Sequence, residues 1–255
     1  MTANYHTHTP LCRHANGTPE EYALAAIGMG LKVLGFSDHI PSDFPGGYVS
    51  NYRMFTAQTE GYVKSIASLR EKFKGKLDIY IGYECEYYPE IFGSVISNVL
   101  KYECDYLILG QHFTKSEYNG FYAGCPTNDE SILKQYVDQV VAALKTGKFS
   151  YIAHPDLINF TGNRAVYKSE MKRLCDAAKF FDTPLEFNLL GFSQKRNYPC
   201  REFFEIAAQT GNSVIQGIDA HSPSHFSKET ALSAEKYLSD LGITPIKDLK
   251  LRSVK

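Results

Sequence analysis

The sequence has no tryptophan, no long apolar run and no strong net charge. Its longest hydrophobic stretches, such as residues 140–144, are far shorter than the roughly 20 residues needed to cross a membrane. The chain carries 27 basic and 28 acidic residues, a formal net charge of -1. It therefore offers no global basic field that would attract nucleic acid or an anionic bilayer. We expect a small-molecule partner, and neither a nucleic acid nor a membrane.

Cysteine pairs and a recognisable signal segment are also absent. The six cysteines stand singly, without a CxxC pair, and the N-terminus lacks a charged region followed by an apolar stretch. These absences indicate reduced thiols and a cytoplasmic protein. Nothing in the composition indicates an oligomeric state.

Short β-rich segments alternate with longer segments of helical periodicity along the chain. The predicted strands are residues 4–6, 32–37, 78–84, 105–110, 150–153, 184–188 and 212–218. The predicted helices are residues 18–29, 55–73, 90–100, 129–146, 168–181, 201–210 and 227–241. This βα alternation without a low-complexity linker predicts a single α/β domain over residues 1–255, built as a closed or nearly closed parallel barrel. An open doubly wound sheet is the alternative.

All eight histidines fall at the carboxyl ends of predicted strands or in the loops that follow them. Histidines scattered at random would also occupy helices. The carboxyl ends of barrel strands open on one face, so residues distant in sequence would meet there. The histidines are His6, His8, His14, His39, His112, His154, His221 and His225. Their placement predicts a shared site at the mouth of the barrel.

Two residue pairs have the spacing that chelation requires. Side chains alternate along a strand, so His6 and His8 point to the same side. Asp219 and His221 repeat this spacing after the last strand, and a carboxylate with an imidazole suits a borderline cation. An HxH pair also arises by chance on solvated segments, so only its context favours metal binding. No GxxxxGK(S/T), GxGxxG or GxSxG motif offers another chemistry, which leaves metal-activated water as the nucleophile.

Acidic residues near the strand ends complete the candidate set. Glu84 and Glu86 share one face of a predicted strand, where two carboxylates repel each other unless a cation or a proton intervenes. We expect Glu84 to be a ligand. Glu86 could orient a ligand, bind substrate or be solvated beyond the strand end, which is the commonest outcome for such a residue. Asp38, next to His39, is expected to face away from the cluster and to act only through a ligand.

Small residues stand beneath four candidate ligands on the same strand face. They are Gly35 and Ser37 before His39, Gly82 before Glu84, Gly110 before His112 and Gly217 before Asp219. Barrel interiors normally hold branched side chains, so we interpret these small residues as room for metal ions above them. The alternative is that the glycines form bulges or turns.

These motifs resemble the PHP superfamily, named for polymerase-associated and histidinol-phosphatase domains, and in particular its histidinol-phosphate phosphatase branch. The similar segments are residues 6–14 (HTHTPLCRH), 37–39 (SDH), 82–86 (GYECE), 110–113 (GQHF), 153–156 (AHPD) and 219–223 (DAHSP). They follow the family's order and span nearly the whole chain. The resemblance implies a distorted seven-stranded (β/α) TIM-like barrel, which agrees with the predicted strands.

The resemblance also implies three divalent metal ions, and the ligand types suit Zn, Fe or Mn. The first ion would be held by His6, His8, Glu84 and Asp219, the second by His14, His39 and His221, and the third by Glu84, His112 and His154. Glu84 would bridge two ions. The residues expected to carry catalysis are His8, Glu84, Asp219 and His221.

The implied activity is hydrolysis of L-histidinol phosphate to L-histidinol and phosphate in histidine biosynthesis, by a metal-activated hydroxide at the three-metal site. Arg196 resembles the family's anion-binding residue, and Arg164 and Lys195 are further candidates for substrate binding. Carboxylates and aromatic residues in the loops after the second and fourth strands would meet the substrate's amine. The aromatic residues there are Tyr48, Tyr52, Phe113, Tyr118 and Tyr122.

Some residues depart from the family pattern and leave the substrate open. Glu186 and Asn188 match the expected sixth-strand motif, but Leu189 and Leu190 follow where small polar residues are usual, and Ile218 replaces a common serine. The alternatives are another small phosphomonoester, a PHP-type nuclease or phosphodiesterase, a metal-storing or regulatory barrel, and a zinc hydrolase of the amidohydrolase kind. Missing basic clusters weigh against a nuclease, and the lysine usual in amidohydrolases has no obvious strand-end counterpart here.

Overall fold

Seven parallel strands form one sheet in the computed structural model, which describes residues 1–254. In sequence order they are β1 (Ala3–Asn4), β2 (Val33–His39), β3 (Asp78–Cys85), β4 (Tyr106–Leu109), β5 (Phe149–Ile152), β6 (Leu185–Asn188) and β7 (Val214–Gly217). Beyond β1 and β7, the Ala220 carbonyl accepts the N–H of His8 (2.9 Å), and Ala220 N–H donates to His6 O (3.1 Å). These bonds join the two ends of the sheet into a nearly closed barrel. The predicted barrel is confirmed, and the open doubly wound alternative is wrong.

The helices of residues 1–254 lie between successive strands and after the last one. They are α1 (Pro19–Met29), α2 (Thr59–Lys72), α3 (Pro89–Val99), α4 (Glu130–Leu144), α5 (Arg164–Phe180), α6 (Leu189–Gln194), α7 (Arg201–Thr210) and α8 (Lys228–Asp240). Among these helices, none combines the length and the apolar composition needed to cross a membrane. Lys255, the last residue of the predicted domain, lies outside the described residues.

Local capping explains where the helices begin. The Thr18 hydroxyl accepts the N–H of Glu21 (3.3 Å), and the Glu21 carboxylate accepts the N–H of Thr18 (2.6 Å), which starts α1 as predicted. Helix α5 begins at Arg164 rather than at residue 168, because Asn163 caps it. Helix α6 was not predicted, since its six residues are too short to show a helical period.

Side chains that point into the barrel form a small apolar core of their own. Its buried members are Ala3, Tyr5, Tyr106, Ile108, Tyr151, Ala153 and Ile215. The Tyr106 hydroxyl donates to the backbone oxygens of Tyr5 (2.7 Å) and Phe36 (3.2 Å). The larger core lies between the strands and the surrounding helices.

Two of the glycines interpreted as room for metal ions make room for the Tyr106 side chain instead. A Cβ atom on Gly35 would lie 2.2 Å from the Tyr106 hydroxyl oxygen, and one on Gly82 would lie 2.4 Å from its ring. Both distances are far below any real carbon contact. The interpretation is therefore wrong at these positions: the glycines admit an aromatic ring that closes the barrel beneath the site.

Candidate metal centre

An open cavity of about 780 Å³ lies where the carboxyl ends of the strands meet. The residues predicted as metal ligands all lie at this cavity. Seven of them line its wall, namely His14, His39, Glu84, His112, His154, Asp219 and His221. The other two, His6 and His8, are fully buried against Glu84 and Asp219. The barrel thus joins residues as far apart in sequence as His14 and His221, whose side chains meet across 207 positions.

The Glu84 carboxylate is the centre of this cluster and faces five imidazole rings. Its Oε2 lies 3.5 Å from His6 Nε2, 3.4 Å from His8 Nε2 and 3.0 Å from His39 Nδ1. Its Oε1 lies 2.8 Å from His154 Nε2 and 3.5 Å from His112 Nε2. Each carboxylate oxygen therefore has its own group of nitrogen neighbours, which is the arrangement that a bridging ligand requires.

A second group of predicted ligands lies toward the solvent, around His221. His221 Nε2 faces His14 Nε2 at 2.9 Å, and the rings of His14 and His39 stack with centroids 5.4 Å apart. Asp219 connects this group to the buried one. Its Oδ1 lies 3.3 Å from His8 Nε2 and 3.4 Å from His221 Nδ1.

Several of these donor atoms are buried without a hydrogen-bond partner. Within residues 1–254 this holds for His6 Nε2, His8 Nε2, His39 Nδ1 and Glu84 Oε2. Each unpaired buried polar atom costs roughly 1–3 kcal/mol, so their convergence indicates a ligand that pairs with them. Imidazole and carboxylate donors in this cluster lie within 4.8 Å of one another, and such donors suit Zn, Fe or Mn. The residues present therefore fit divalent metal ions.

Both carboxylates of the cluster are held in their ionised form. Burial opposes ionisation of Glu84, but the surrounding imidazoles, of which His112 is the strongest, outweigh it and hold the pKa of Glu84 well below its usual range. Burial likewise opposes ionisation of Asp219, and His6 is the strongest of the neighbours that hold the pKa of Asp219 well below its usual range. Ionised carboxylates are the form that binds a cation.

The imidazoles divide into neutral and protonated rings. Burial lowers the pKa of His39 to about 3, and burial together with His8 lowers the pKa of His221 to about 2. Burial acts in the same direction on His6, but Glu186 and other carboxylates outweigh it and raise the pKa of His6 to about 10. His39 and His221 are thus neutral and ready to donate a lone pair, whereas a cation must displace a proton from His6.

Glu186, on β6, orients two of the predicted ligands. Its Oε1 lies 2.8 Å from His6 Nδ1, and its Oε2 accepts the backbone N–H of His154 (2.9 Å). Asn188 Nδ2 bridges Glu186 Oε2 (2.9 Å) and Asp219 Oδ2 (3.1 Å). A carboxylate on the outer nitrogen of a histidine fixes its tautomer and ring orientation.

The remaining two glycines give room to carboxylates rather than directly to metal ions. A Cβ atom on Gly110 would lie 1.9 Å from Glu84 Oε1, and one on Gly217 would lie 1.8 Å from Glu186 Oε1. The interpretation as empty space for cations is therefore wrong here too. These glycines allow the acidic side chains to reach the positions in which they contact the histidines.

The structure bears differently on the expectations for two acidic residues beside the predicted ligands, Glu86 and Asp38. Glu86 is buried and bonded to His112 Nδ1 (2.9 Å) and to Arg53, so the solvated alternative is wrong. Period-two alternation from Glu84 could have placed it inside, whereas Arg53 lies in a loop without any sequence signal. Asp38 Oδ1 lies 3.7 Å from His8 Nδ1, and its expected action through a ligand stays a prediction.

The three basic residues predicted to bind substrate lie in different places. Arg196 lines the cavity, where its Nε donates to Gln194 Oε1 (3.0 Å) and its Nη1 to the Tyr198 hydroxyl (2.7 Å). Arg164 pairs with Glu202 and is absent from the cavity wall. Lys195, which follows α6, is also absent from the wall.

Aromatic residues and one further histidine complete the wall. Tyr52, Phe113 and Tyr122 line the cavity, whereas Tyr48 and Tyr118 do not. His225 also lines it, and its Nδ1 accepts the backbone N–H of His221 (3.2 Å). The sequence had placed His225 in the loop after the last strand without giving it a role.

Sequence comparisons agree with this geometry. The family model described as "PHP domain" matches residues 4–189. A probable histidinol-phosphatase of Deinococcus radiodurans is 31% identical over 243 residues, which cover 93% of this chain and 92% of that protein. The histidinol-phosphatase of Bacillus subtilis is 30% identical over 141 residues, covering 52% of this chain and 50% of the relative. The predicted resemblance to the histidinol-phosphatase branch is confirmed.

The fold is also that of a solved structure. The crystal structure of histidinol phosphate phosphatase from Lactococcus lactis, in complex with zinc, L-histidinol and phosphate, aligns with a TM-score of 0.77. The alignment covers 99% of this chain and 98% of that one at 17% sequence identity, so it supports the shared fold alone. With the family model matched over most of the barrel and a relative similar along nearly its whole length, this chain belongs to the PHP domain family.

Proposed function

We propose that this chain, a metal-dependent phosphoric monoester hydrolase, converts L-histidinol phosphate to L-histidinol and phosphate, a step of histidine biosynthesis. The observation that carries the proposal is the convergence of imidazole and carboxylate donors on one open cavity. The similarity to histidinol-phosphatases supports the choice of substrate. We further propose that residues 1–255 act as one domain in the cytoplasm.

The donor sets suit three ions of Zn, Fe or Mn. We assign His6, His8, Glu84 and Asp219 to the first, His14, His39 and His221 to the second, and Glu84, His112 and His154 to the third. When bound, such ions supply positive charge for the phosphate oxygens and make water a nucleophile near neutral pH. His8, Glu84, Asp219 and His221 are the proposed catalytic residues, since their donor atoms face one another where the reaction would occur.

Residues of the cavity wall would hold the substrate. The Arg196 guanidinium, steadied by Gln194 and Tyr198, is the proposed partner of the phosphate oxygens. His225 accepts a hydrogen bond at Nδ1, so its proton lies on Nε2, from which it can donate to the substrate. Cavities of roughly 300–1,000 Å³ typically bind small molecules, and the volume here falls in that range.

Another small phosphomonoester is the second candidate, because of one cavity residue. Leu190 lines the cavity at a position where the family usually carries a small polar residue. An apolar side chain there changes the wall that faces the organic part of the substrate. It leaves the metal-binding donors untouched, so the two candidates share one mechanism and differ only in specificity.

A metal analysis combined with a substrate panel tests the proposal. The purified protein should contain Zn, Fe or Mn and should release phosphate fastest from L-histidinol phosphate, more slowly from sugar and nucleoside monophosphates, and not at all from single-stranded DNA. Faster release from another monoester would replace the substrate but keep the reaction. Absence of bound metal, or cleavage of DNA at a higher rate, would contradict the proposed function.

A further inference from the structure

Arg53 is buried beside the metal centre and held between two carboxylates. Its side chain is only 1% exposed. Nη2 donates to Glu86 Oε1 (3.0 Å) and to Glu117 Oε2 (2.6 Å), and Nη1 donates to Glu86 Oε2 (3.1 Å). Two further bonds anchor it to the loop after β2, from Nη1 to Ile40 O (2.9 Å) and from Nε to Ser50 Oγ (3.3 Å). All five donors of this guanidinium face fixed acceptors, which restricts it to one orientation.

Glu86 connects the fixed guanidinium of Arg53 to His112, a predicted metal ligand. Its two oxygens receive the two terminal nitrogens of Arg53, a bidentate pair that fixes the plane of the carboxylate. Its Oε1 also accepts from His112 Nδ1 (2.9 Å) and from the Tyr52 hydroxyl (3.0 Å). His112 Nδ1 therefore carries a proton, and Nε2 is the ring nitrogen that faces Glu84 Oε1, at 3.5 Å.

We propose that Arg53 is a positioning residue of the metal centre, acting through Glu86 to fix the tautomer and ring orientation of His112. The inference rests on the proposed metal centre and goes beyond it, because Arg53 contacts no metal ligand. Carboxylates on the outer nitrogen of ligating histidines commonly affect metal affinity about 10- to 100-fold. Here a buried arginine from a different loop determines where that carboxylate lies. Only the ion bound by Glu84, His112 and His154 should depend on Arg53.

A metal titration of the whole protein tests this. The parent, R53M, E86Q and the R53M/E86Q double variant are stripped with a chelator and titrated with Zn²⁺ against a competing indicator. We expect R53M and E86Q each to weaken one Zn²⁺ site per chain about 10- to 100-fold and to leave the other sites unchanged. The double variant should be no weaker than E86Q, because Arg53 acts through Glu86. R53K should resemble R53M, since an ammonium cannot bind both carboxylate oxygens in a plane.

Arg70 provides the matched control. It also bridges two acidic residues, Glu103 and Asp105, but on the outside of the barrel. R70M should bind Zn²⁺ like the parent. Parental affinity of R53M at every site, or equal weakening of all sites in R53M and R70M, would overturn the role of Arg53. A parent that binds no Zn²⁺ would overturn the proposed metal centre itself, so the two failures are distinguishable. If R53M does not fold, E86Q and R53K decide the question in the same way.

Discussion

The two ends of the barrel interior are built from the same strands but differ in how their polar atoms are paired. At the base, Tyr106 fills the space above Gly35 and Gly82, and its hydroxyl donates to two backbone oxygens. At the mouth, both ring nitrogens of His8 and the Oε2 atom of Glu84 are buried without a hydrogen-bond partner. At the base the Tyr106 hydroxyl is paired and contributes stability, whereas at the mouth several buried donor atoms are unpaired and available for binding. Sites of function commonly reduce stability in this way.

The largest effect is expected at the centre of the mouth. Glu84→Ala removes the one carboxylate that faces five imidazoles, and turnover of the phosphomonoester should fall by roughly three orders of magnitude or more. Circular dichroism should show the parental fold, because the base is unchanged. His8→Ala should behave alike. Parental turnover in either variant would show that the residue has no role in catalysis.

A smaller effect is expected at the rim, where two arginines from the sequence prediction can be compared. Arg196→Ala should lower kcat/KM about 10- to 100-fold, since a hydrogen bond to a charged group is worth roughly 1.5–3 kcal/mol. Arg164→Ala is the control, because its guanidinium is paired with Glu202 away from the cavity. Steady-state kinetics with both variants measure this. Equal losses would contradict the assignment of the phosphate to Arg196.

The same substitution at two glycines sharpens the contrast between base and mouth. Gly82→Ala overpacks the Tyr106 ring and should lower the free energy of unfolding by roughly 1–3 kcal/mol. Gly110→Ala pushes against Glu84 Oε1 and should weaken Zn²⁺ binding more than Gly82→Ala does. Urea unfolding of the metal-free proteins measures the loss of stability, and Zn²⁺ titration measures the loss of metal affinity. Equal losses of stability and equal losses of Zn²⁺ affinity in the two variants would contradict the distinction between a stabilising base and a metal-binding mouth.

The smallest effect is expected from one hydroxyl at the base. Tyr106→Phe keeps the ring but removes two hydrogen bonds, at a cost of about 1 kcal/mol. For a chain of this length the melting temperature should fall by roughly 2–4 °C. Metal content should equal that of the parent. A loss of bound metal in this variant would mean that base and mouth are coupled.

Features that depend on neighbouring residues could be predicted from the sequence, whereas features that depend on contacts between distant segments could not. Buried parallel strands are short apolar runs between turn residues, so all seven strands could be located from local pattern. The histidine and acidic candidates could be named because they stand at strand ends or in the loops that follow, and the family resemblance implied how they divide into ligand sets. Helix α6 was missed because its six residues are too few to show a helical period, and the cap formed by Asn188 is not a sufficient signal by itself. For Glu86 the sequence left solvation as the commonest outcome, because nothing in it shows that Arg53, from the loop after β2, lies against this carboxylate.

The sequence by itself determined the seven strands, their alternation with helices and the candidate donor residues near the strand ends, because these depend on alternation and spacing within single segments. The tertiary structure decided the order of the strands and the near-closure of the sheet. The tertiary structure alone decided which partner each side chain meets. It placed Tyr106 over Gly82, Glu186 on His6 and Arg53 on Glu86, and it put Arg196 rather than Arg164 on the cavity wall. Such contacts depend on loop paths and on packing between segments far apart in sequence, which no local pattern records.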